Sequence, residues 1–455
     1  MRILLIYPSA RAELIGYGDL GAIAEPIALE YLGAGLKLDA HEVRILDLRL
    51  HREDLESVLA EVRPDVVGVT GYSMHALRIL ALCARVKELA PSCKTVVGGH
   101  HATLMPEDFF EPQVDFVVCG EGVAPLRRLV RALEEGAPAR GIPGLWSRRG
   151  DRFEDGGEPE KLSIDDLPPP DRTLTLADRG SYFIDWMKPI ALVRTTVGCP
   201  YRCSFCSLWK IMDGRYHMRD VQRTAEEIAS LRESCVFLVD DEPFVNGKRM
   251  MALAQAIEEA GVERRYFAYC RIDTLLRERD VMARWRGIGL ERLFIGIEAP
   301  NERGLAQYNK RLALAQVEEG LRVAREMGIE VMAGFVVDTD FRERDFKELT
   351  RFIQHNGISY PSFTVLTPIP GTAALASFDH LTEKQPNGRP NWELFDLQHA
   401  VVETALPKEE FERHYRDLFQ VFSGSYAADR EPPGSLEASG AALHRAEPAG
   451  AGGWR

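Results

Sequence analysis

The chain has 455 residues, 45% of them hydrophobic and 27% charged, with a formal net charge of −13. That length gives room for two domains with large cores plus appendages. The acidic balance excludes nucleic acid as the main partner, because phosphate binding needs a basic face.

The opening Met1-Arg2-Ile3-Leu4-Leu5-Ile6-Tyr7-Pro8 is too short for a signal-peptide core and lacks a cleavage site, so it reads as a first buried strand. No run approaches the ~18 apolar residues of a membrane span, so no transmembrane segment is expected. The eight cysteines do not form a disulfide-like framework in so long a chain. Five of them (Cys83, Cys93, Cys119, Cys235 and Cys270) lie in or beside apolar segments and read as buried reduced thiols. The expected compartment is a reducing cytoplasm.

Over residues 1–145, buried β-branched runs alternate with helical stretches. Strands are predicted at 3–7, 42–48, 66–70, 95–97 and 116–118, and helices at 26–38, 52–62 and 76–89. This alternation implies a parallel, doubly wound α/β sheet, whose ligands bind beyond the carboxyl ends of the strands. Those ends carry Tyr72 and Ser73, Gly98 and Gly99 before His100 and His101, and Gly120-Glu121-Gly122. Glycine there lets the backbone approach a ligand without a Cβ clash. No G-x-G-x-x-G follows the first strand, so a dinucleotide is not expected. The residues alone imply a nucleotide-like ligand in a Rossmann-like domain.

Residues 146–189 are Gly-rich and charged around Leu167-Pro168-Pro169-Pro170 and read as a stiff linker between domains. Tyr182 and Trp186, near its end, are expected to pack. Strand–helix alternation resumes from Ile190 to about Leu366, with strands near 192–196, 236–239, 266–269, 292–297, 330–337 and 362–366. Six βα units suit a partial TIM-type barrel with its site at the carboxyl ends of the strands. Directly after the first of these strands comes Gly198-Cys199-Pro200-Tyr201-Arg202-Cys203-Ser204-Phe205-Cys206, three thiols at C-x3-C-x2-C spacing. Three close thiolates suit an iron–sulfur cluster. A structural zinc takes four ligands, which would require His217 to complete the set. The remaining alternative is three unrelated core thiols.

The C-x3-C-x2-C spacing, with Phe205 just before the last cysteine, resembles the signature of the radical SAM superfamily. That resemblance implies a [4Fe–4S] cluster on Cys199, Cys203 and Cys206, with the open iron chelated by S-adenosylmethionine and reductive cleavage giving a 5′-deoxyadenosyl radical. It also implies roles at other strand ends. Asp240 and Asp241 would accept from the methionine ammonium, Arg271 would hold its carboxylate, and Glu298 would accept from ribose hydroxyls. Asp338 and Asp340 are not assigned as a catalytic pair, since they equally suit a helix cap.

Residues 98–103 and 120–122 resemble the cobalamin-binding domain that often precedes such a barrel. That implies cobalamin at Tyr72, Ser73, Gly98, Gly99, Gly120, Glu121 and Gly122. The usual Asp-x-His-x-x-Gly motif is missing, because Asp39-Ala40-His41 is followed by Arg44 where glycine belongs. The resemblance therefore implies cobalamin without a histidine lower ligand.

Residues 373–423, with Trp392–Val401 and a helix over 408–422, are expected to cap the barrel mouth, and 424–455 to form a disordered tail. Together with Phe363–Thr372, this part resembles the cobalamin-dependent methylase branch that includes the hopanoid C-3 methylase. The implied activity is methylation of an unactivated carbon on a small-molecule or lipid substrate, with a reductant such as flavodoxin or ferredoxin as partner. A cobalamin radical SAM cyclase, like the anaerobic Mg-porphyrin oxidative cyclase, is the alternative enzyme. A non-enzymatic cobalamin or iron–sulfur sensor is the alternative of another class.

Overall fold

The computed structural model describes residues 1–10, 22–51, 54–161 and 163–427. The first sheet takes β1 (Arg2–Tyr7), β2 (Glu42–Asp47), β3 (Val66–Thr70), β4 (Lys94–Gly98) and β5 (Phe116–Val118) in the parallel order β2-β1-β3-β4-β5. Both faces of its apolar strands are buried, in two separate cores formed with the flanking helices. This is why the strands read as continuous rather than alternating apolar runs. Helix Val123–Glu134, absent from the sequence reading, covers one face.

The linker reading changes over its first ten residues. β6 (Leu145–Arg149) and β7 (Arg152–Asp155) form an antiparallel hairpin that extends the first sheet beside β5. Gly150, at φ +60°, supplies the left-handed turn between them.

The second sheet runs β8 (Ile190–Val193), β9 (Cys235–Leu238), β10 (Arg265–Tyr269), β11 (Leu290–Glu298), β12 (Glu330–Val337) and β13 (Tyr360–Val365), paired in sequence order and all parallel. β8 and β13 do not pair with each other, so the barrel is open. Alternate residues separate its faces: Ala191, Val193, Val236 and Leu238 pack outward on the helices. Ile190, Leu192, Cys235 and Phe237 instead pack with Ile27, Tyr31 and Val123 of the first domain. The inner face of β8 and β9 is therefore the surface on which the first domain docks.

Charge completes that junction. Fully buried Glu25 accepts from the Leu192 backbone N–H and from Arg179, while Arg172 bridges Glu227 and the Leu192 carbonyl. Tyr182 and Trp186 both pack, as expected. Trp186 and Tyr360 sandwich the Arg292 guanidinium at 3.2 and 3.6 Å from the ring centroids, at the amino end of the barrel.

The C-terminal segment is shared between the two domains. Leu381, Trp392, Phe395 and Val401 enter the core of the first domain. Helix Lys408–Ala427 packs along β13, with the Tyr415 hydroxyl donating to the Phe363 carbonyl at 3.0 Å. That helix continues past residue 423; the expected tail beyond Ala427 lies outside the described residues.

Candidate active site

The cysteine loop leaves β8 and is closed at its base by a two-residue antiparallel pairing, Thr196–Val197 with His217–Met218. Gly198 makes the crossing possible. Its φ is +90°, and a Cβ there would stand 2.1 Å from the Arg215 carbonyl oxygen. The pairing also carries His217 into the base of the loop. Among the described residues, no three His, Cys, Asp or Glu side chains converge as a single-ion site. The zinc alternative therefore gains no support.

Cys199, Cys203 and Cys206 are partly exposed, whereas the other five cysteines are buried. Burial pushes the thiol of Cys199 up to about 12 and that of Cys206 up to about 11. In the metal-free protein these thiols hold their protons, which a bound metal displaces. Three half-open thiols on one loop are a donor set that fits an iron–sulfur cluster with one iron free of protein ligands.

The loop is held from beneath by Asp240, directly after β9. The backbone N–H groups of Thr195 and Thr196 donate to one of its oxygens at 2.6 Å each, and the Thr195 hydroxyl donates to the other at 2.7 Å. Arg249 adds donors to the Thr195 hydroxyl and carbonyl at 3.3 and 3.0 Å. Asp240 is 1% exposed, so this carboxylate does not reach the barrel mouth as an ammonium acceptor. It positions the start of the loop instead. Burial raises its pKa to about 6.

Arg271 also differs from its expected role. Its guanidinium donates to Asp273 at 2.9 and 3.1 Å and to the Lys310 carbonyl at 2.9 Å, and it stacks 3.9 Å from the Tyr201 centroid. It leans on the cysteine loop, with Nη1 4.0 Å from the Cys203 sulfur. A bidentate grip on a carboxylate is already spent on Asp273. Glu298 ends β11 at φ +72°, after a register shift, and accepts from the Lys310 ammonium at 2.8 Å. Phe205 meets Tyr308 edge-on, with ring centroids 5.7 Å apart, and seats the loop on the barrel.

Segment 307–311 clasps the far side of the loop. The Ser204 N–H and hydroxyl donate to the carbonyls of Tyr308 and Gln307, and Asn309 donates to the Arg202 carbonyl. Asp338 anchors this clasp by accepting from the Gln307 amide at 2.6 Å and the Tyr308 hydroxyl at 3.0 Å. Asp338 and Asp340 thus cap no helix, since the next one begins after Arg342.

Sequence reasoning passed over Glu242, Lys310 and Arg194. Glu242 is 1% exposed, and one of its oxygens is buried without a hydrogen-bond partner; burial raises its pKa to about 8. It follows Asp240 and Asp241 in the chain, and that adjacency to a strand end was the available signal. Lys310 lies in a loop with no motif to mark it. Arg194, just after β8, is half-buried, with its guanidinium 5.5 Å from the Tyr31 ring centroid.

Facing this edge is the carboxyl end of the first sheet. Tyr72 keeps 49% of its surface exposed, yet its hydroxyl feels Arg194 and Asp241 of the barrel. Burial, with Tyr72 and Asp241 adding to it, pushes the Tyr269 hydroxyl pKa up to about 12. The two edges approach where a Cβ on Gly371 would stand 3.1 Å from Leu104 of the first domain and 3.4 Å from Ser207 of the cysteine loop. His100 lies on the first-sheet side, edge-on to Tyr72 at 4.9 Å, and burial with Arg194 nearby lowers its pKa to about 4.

The other expected residues of this edge are occupied within the chain. The Ser73 hydroxyl bonds His101, which is clamped on its other side by Asp108. Glu121 turns back to accept from the Val123 N–H at the start of its helix. A Cβ on Gly99 (φ +105°) would strike the Gly71 carbonyl, and one on Gly120 would strike Pro159. Gly122 is pressed by Leu32, while Gly98 has only ordinary contacts at 3.6 Å and beyond. Gly99 and Gly120, both at positive φ and in close contact, are thus demanded by the chain's own packing. The exposed Tyr72 and His100 rings, edge to face at this strand end, are the groups that would meet a large cofactor such as cobalamin.

Comparison with known proteins agrees with both halves. Residues 15–130 match the B12 binding domain family and residues 193–353 the radical SAM superfamily. The chain is 31% identical to the hopanoid C-3 methylase of Methylococcus capsulatus, over 90% of this chain and 78% of that protein. It is 28% identical to the anaerobic magnesium-protoporphyrin IX monomethyl ester cyclase of Cereibacter sphaeroides, over 77% of this chain and 59% of the cyclase. The fold is shared with the radical S-adenosylmethionine methyltransferase TsrM from Kitasatospora setae, solved with cobalamin and a [4Fe–4S] cluster bound. That match has a TM-score of 0.67 at 19% identity, over 91% of this chain and 84% of that one.

Proposed function

The chain belongs to the cobalamin-dependent radical SAM methyltransferases, and on that premise we propose that it methylates an unactivated carbon of a lipid or other natural-product substrate. The observation that carries this is that the carboxyl edges of the two domains meet beside the cysteine loop: a Cβ on Gly371 would stand 3.1 Å from Leu104 of the first domain and 3.4 Å from Ser207, with Tyr72 and His100 exposed on the first-domain side. Methyl transfer needs donor and acceptor carbon held within contact distance, and two cofactor domains that meet at these edges provide that. When bound, the cluster, S-adenosylmethionine and cobalamin supply a hydrogen-abstracting radical and a transferable methyl group.

In this reading Cys199, Cys203 and Cys206 hold the cluster. Asp241, partly exposed at the same strand end, presents an acceptor to the methionine ammonium, the task that buried Asp240 leaves open. Glu298 accepts from ribose hydroxyls through the oxygen that Lys310 does not occupy. Tyr72 and His100 flank the cobalamin. His100 keeps a neutral ring near neutral pH, so it adds no charge beside a corrin.

The lipid reading is supported by the likeness to the hopanoid C-3 methylase. No helix of the described residues is long and apolar enough to cross a membrane. All eight cysteines are free, which suits work in a reducing cytoplasm with an electron donor such as flavodoxin or ferredoxin.

Anaerobic reconstitution with iron, sulfide and cobalamin, followed by S-adenosylmethionine and reductant, tests the reading. Formation of both 5′-deoxyadenosine and S-adenosylhomocysteine with a hopanoid-type lipid present supports it. 5′-Deoxyadenosine alone, across lipid and porphyrin substrates, would move the assignment to the cyclase branch.

A further inference from the structure

The Glu298–Lys310 pair is buried inside the barrel against Gly296. A Cβ on Gly296 would stand 2.2 Å from the Glu298 Oε1 and 3.0 Å from the Lys310 Nζ. The missing side chain of Gly296 is thus the pocket in which the pair sits. Lys310 is 5% exposed and Glu298 9%, so neither charge has water to fall back on. A buried ion pair of this kind is costly to break from one side, because the remaining charge is left unpaired.

The backbone is bent to deliver the lysine. Asn309 and Arg311, on either side of it, both adopt left-handed conformations, at φ +51° and +55°, and Glu298 does so at +72°. Three non-glycine residues in that region, all converging on one contact, point to a functional constraint. The same lysine accepts from Arg271 through its carbonyl, and Arg271 in turn reaches to 4.0 Å from the Cys203 sulfur. The residues before it, Gln307 and Tyr308, accept from Ser204 of the cysteine loop.

We propose that Lys310 is a positioning residue that ties the cysteine loop to the S-adenosylmethionine edge of the barrel, its ammonium fixing Glu298 and its carbonyl fixing Arg271. This rests on the function proposed above, since Glu298 matters in this way only if a ribose is presented to it. Lys310 orients one oxygen of Glu298 and leaves the other for the ligand. Its ammonium also cancels the buried charge of Glu298, so the pair adds no net charge to the barrel end that carries the loop.

Lys310→Gln keeps a donor for Glu298 and removes the charge; Lys310→Arg keeps the charge and changes the reach. In reconstituted full-length protein, K310Q should weaken S-adenosylmethionine binding by roughly tenfold or more, the scale of one charge-assisted hydrogen bond. It should also shift the midpoint potential of the ligand-free cluster to more negative values, because buried Glu298 is left as an unpaired negative charge in the barrel and disfavours the reduced, more negative cluster. K310R should restore the potential but not the affinity. Titrations followed by electron paramagnetic resonance and by calorimetry read both quantities without turnover.

K310Q with wild-type iron content, affinity and potential would overturn the proposal. If K310Q does not fold, K310R decides alone: wild-type affinity overturns the proposal, and weakened affinity at unchanged potential supports it. Failure of the wild-type protein to bind cluster or S-adenosylmethionine would instead strike the functional assignment.

Discussion

The carboxyl ends of the two parallel sheets face each other, and they are built on opposite principles. At the barrel end, Asp240, Arg271, Glu298 and Asp338 are charged and almost entirely engaged with other protein groups. At the first-sheet end, the glycines are packed against the chain itself, and aromatic and imidazole rings are left facing open space. The difference follows from what each end must hold. A loop of three thiols has no core of its own and must be wired in place before a small charged ligand can meet it. A broad cofactor that brings its own amide groups needs room and a few rings, and the charges at that end are held within the chain, Arg49 by Asp47 and Glu121 by the Val123 N–H. Preorganisation is thus concentrated at the barrel end.

The sharpest way to separate the two ends is to remove the thiol beneath Arg271. Cys203→Ala should reduce iron and sulfide content after reconstitution to background while leaving cobalamin uptake at the wild-type level. Retained iron at the wild-type stoichiometry would show that the loop is not the cluster site. Gly198→Ala is a milder test of the same wiring. It forces a side chain into a left-handed conformation and against a backbone carbonyl 2.1 Å away. It should cost about 2 kcal/mol or more. Thermal unfolding should report that loss, accompanied by lower iron content and unchanged cobalamin binding.

The asymmetry also explains what the sequence disclosed. The parallel sheets were legible because β-branched runs buried on both faces need no partner information to be recognised. The cysteine loop was legible because thiols at C-x3-C-x2-C spacing admit few chemistries. Asp240 and Arg271 were placed correctly at strand ends, but position along the chain does not say whether a carboxylate faces the mouth or turns back on Thr195. Glu242 and Lys310 gain their meaning only from burial. Gly150 hides a hairpin inside what reads as linker, because a two-residue turn leaves almost no periodicity behind. The division of residues 381–422 between both domains was illegible for a related reason: Trp392 and Phe419 are equally apolar, and only the tertiary fold says which core each one joins.

At the first-sheet end the effect should be smaller and confined to one ligand. Tyr72 makes no hydrogen bond through its hydroxyl within the described protein and is half exposed, so Tyr72→Ala should leave the unfolding temperature within the error of measurement. Cobalamin affinity should fall by about tenfold, the scale of one lost aromatic contact, and iron content should not change. A variant with wild-type cobalamin affinity would remove Tyr72 from the cofactor site.

The smallest effect concerns the junction that holds the two ends face to face. Burial, and then the neighbouring Glu25, raise the pKa of Glu30 from 4.5 to about 7, against the hydrogen bond from Thr175. Between those two values the folded protein keeps a proton that the unfolded chain has lost, so stability declines as pH rises through that window. Asp240 and Glu242, raised to about 6 and about 8, contribute slopes of the same sign, so Glu30 accounts for one share among several. Glu30→Gln keeps an oxygen for the Thr175 hydroxyl and removes the titrating group. Urea midpoints at pH 5 and pH 8 should therefore lie closer together in the variant than in the wild-type protein, with the gain at pH 8. An unchanged gap would mean that Glu30 is ionised in the folded protein, held by Arg179 and Arg172, and that the junction is a fully charged network rather than one closed over a protonated carboxyl.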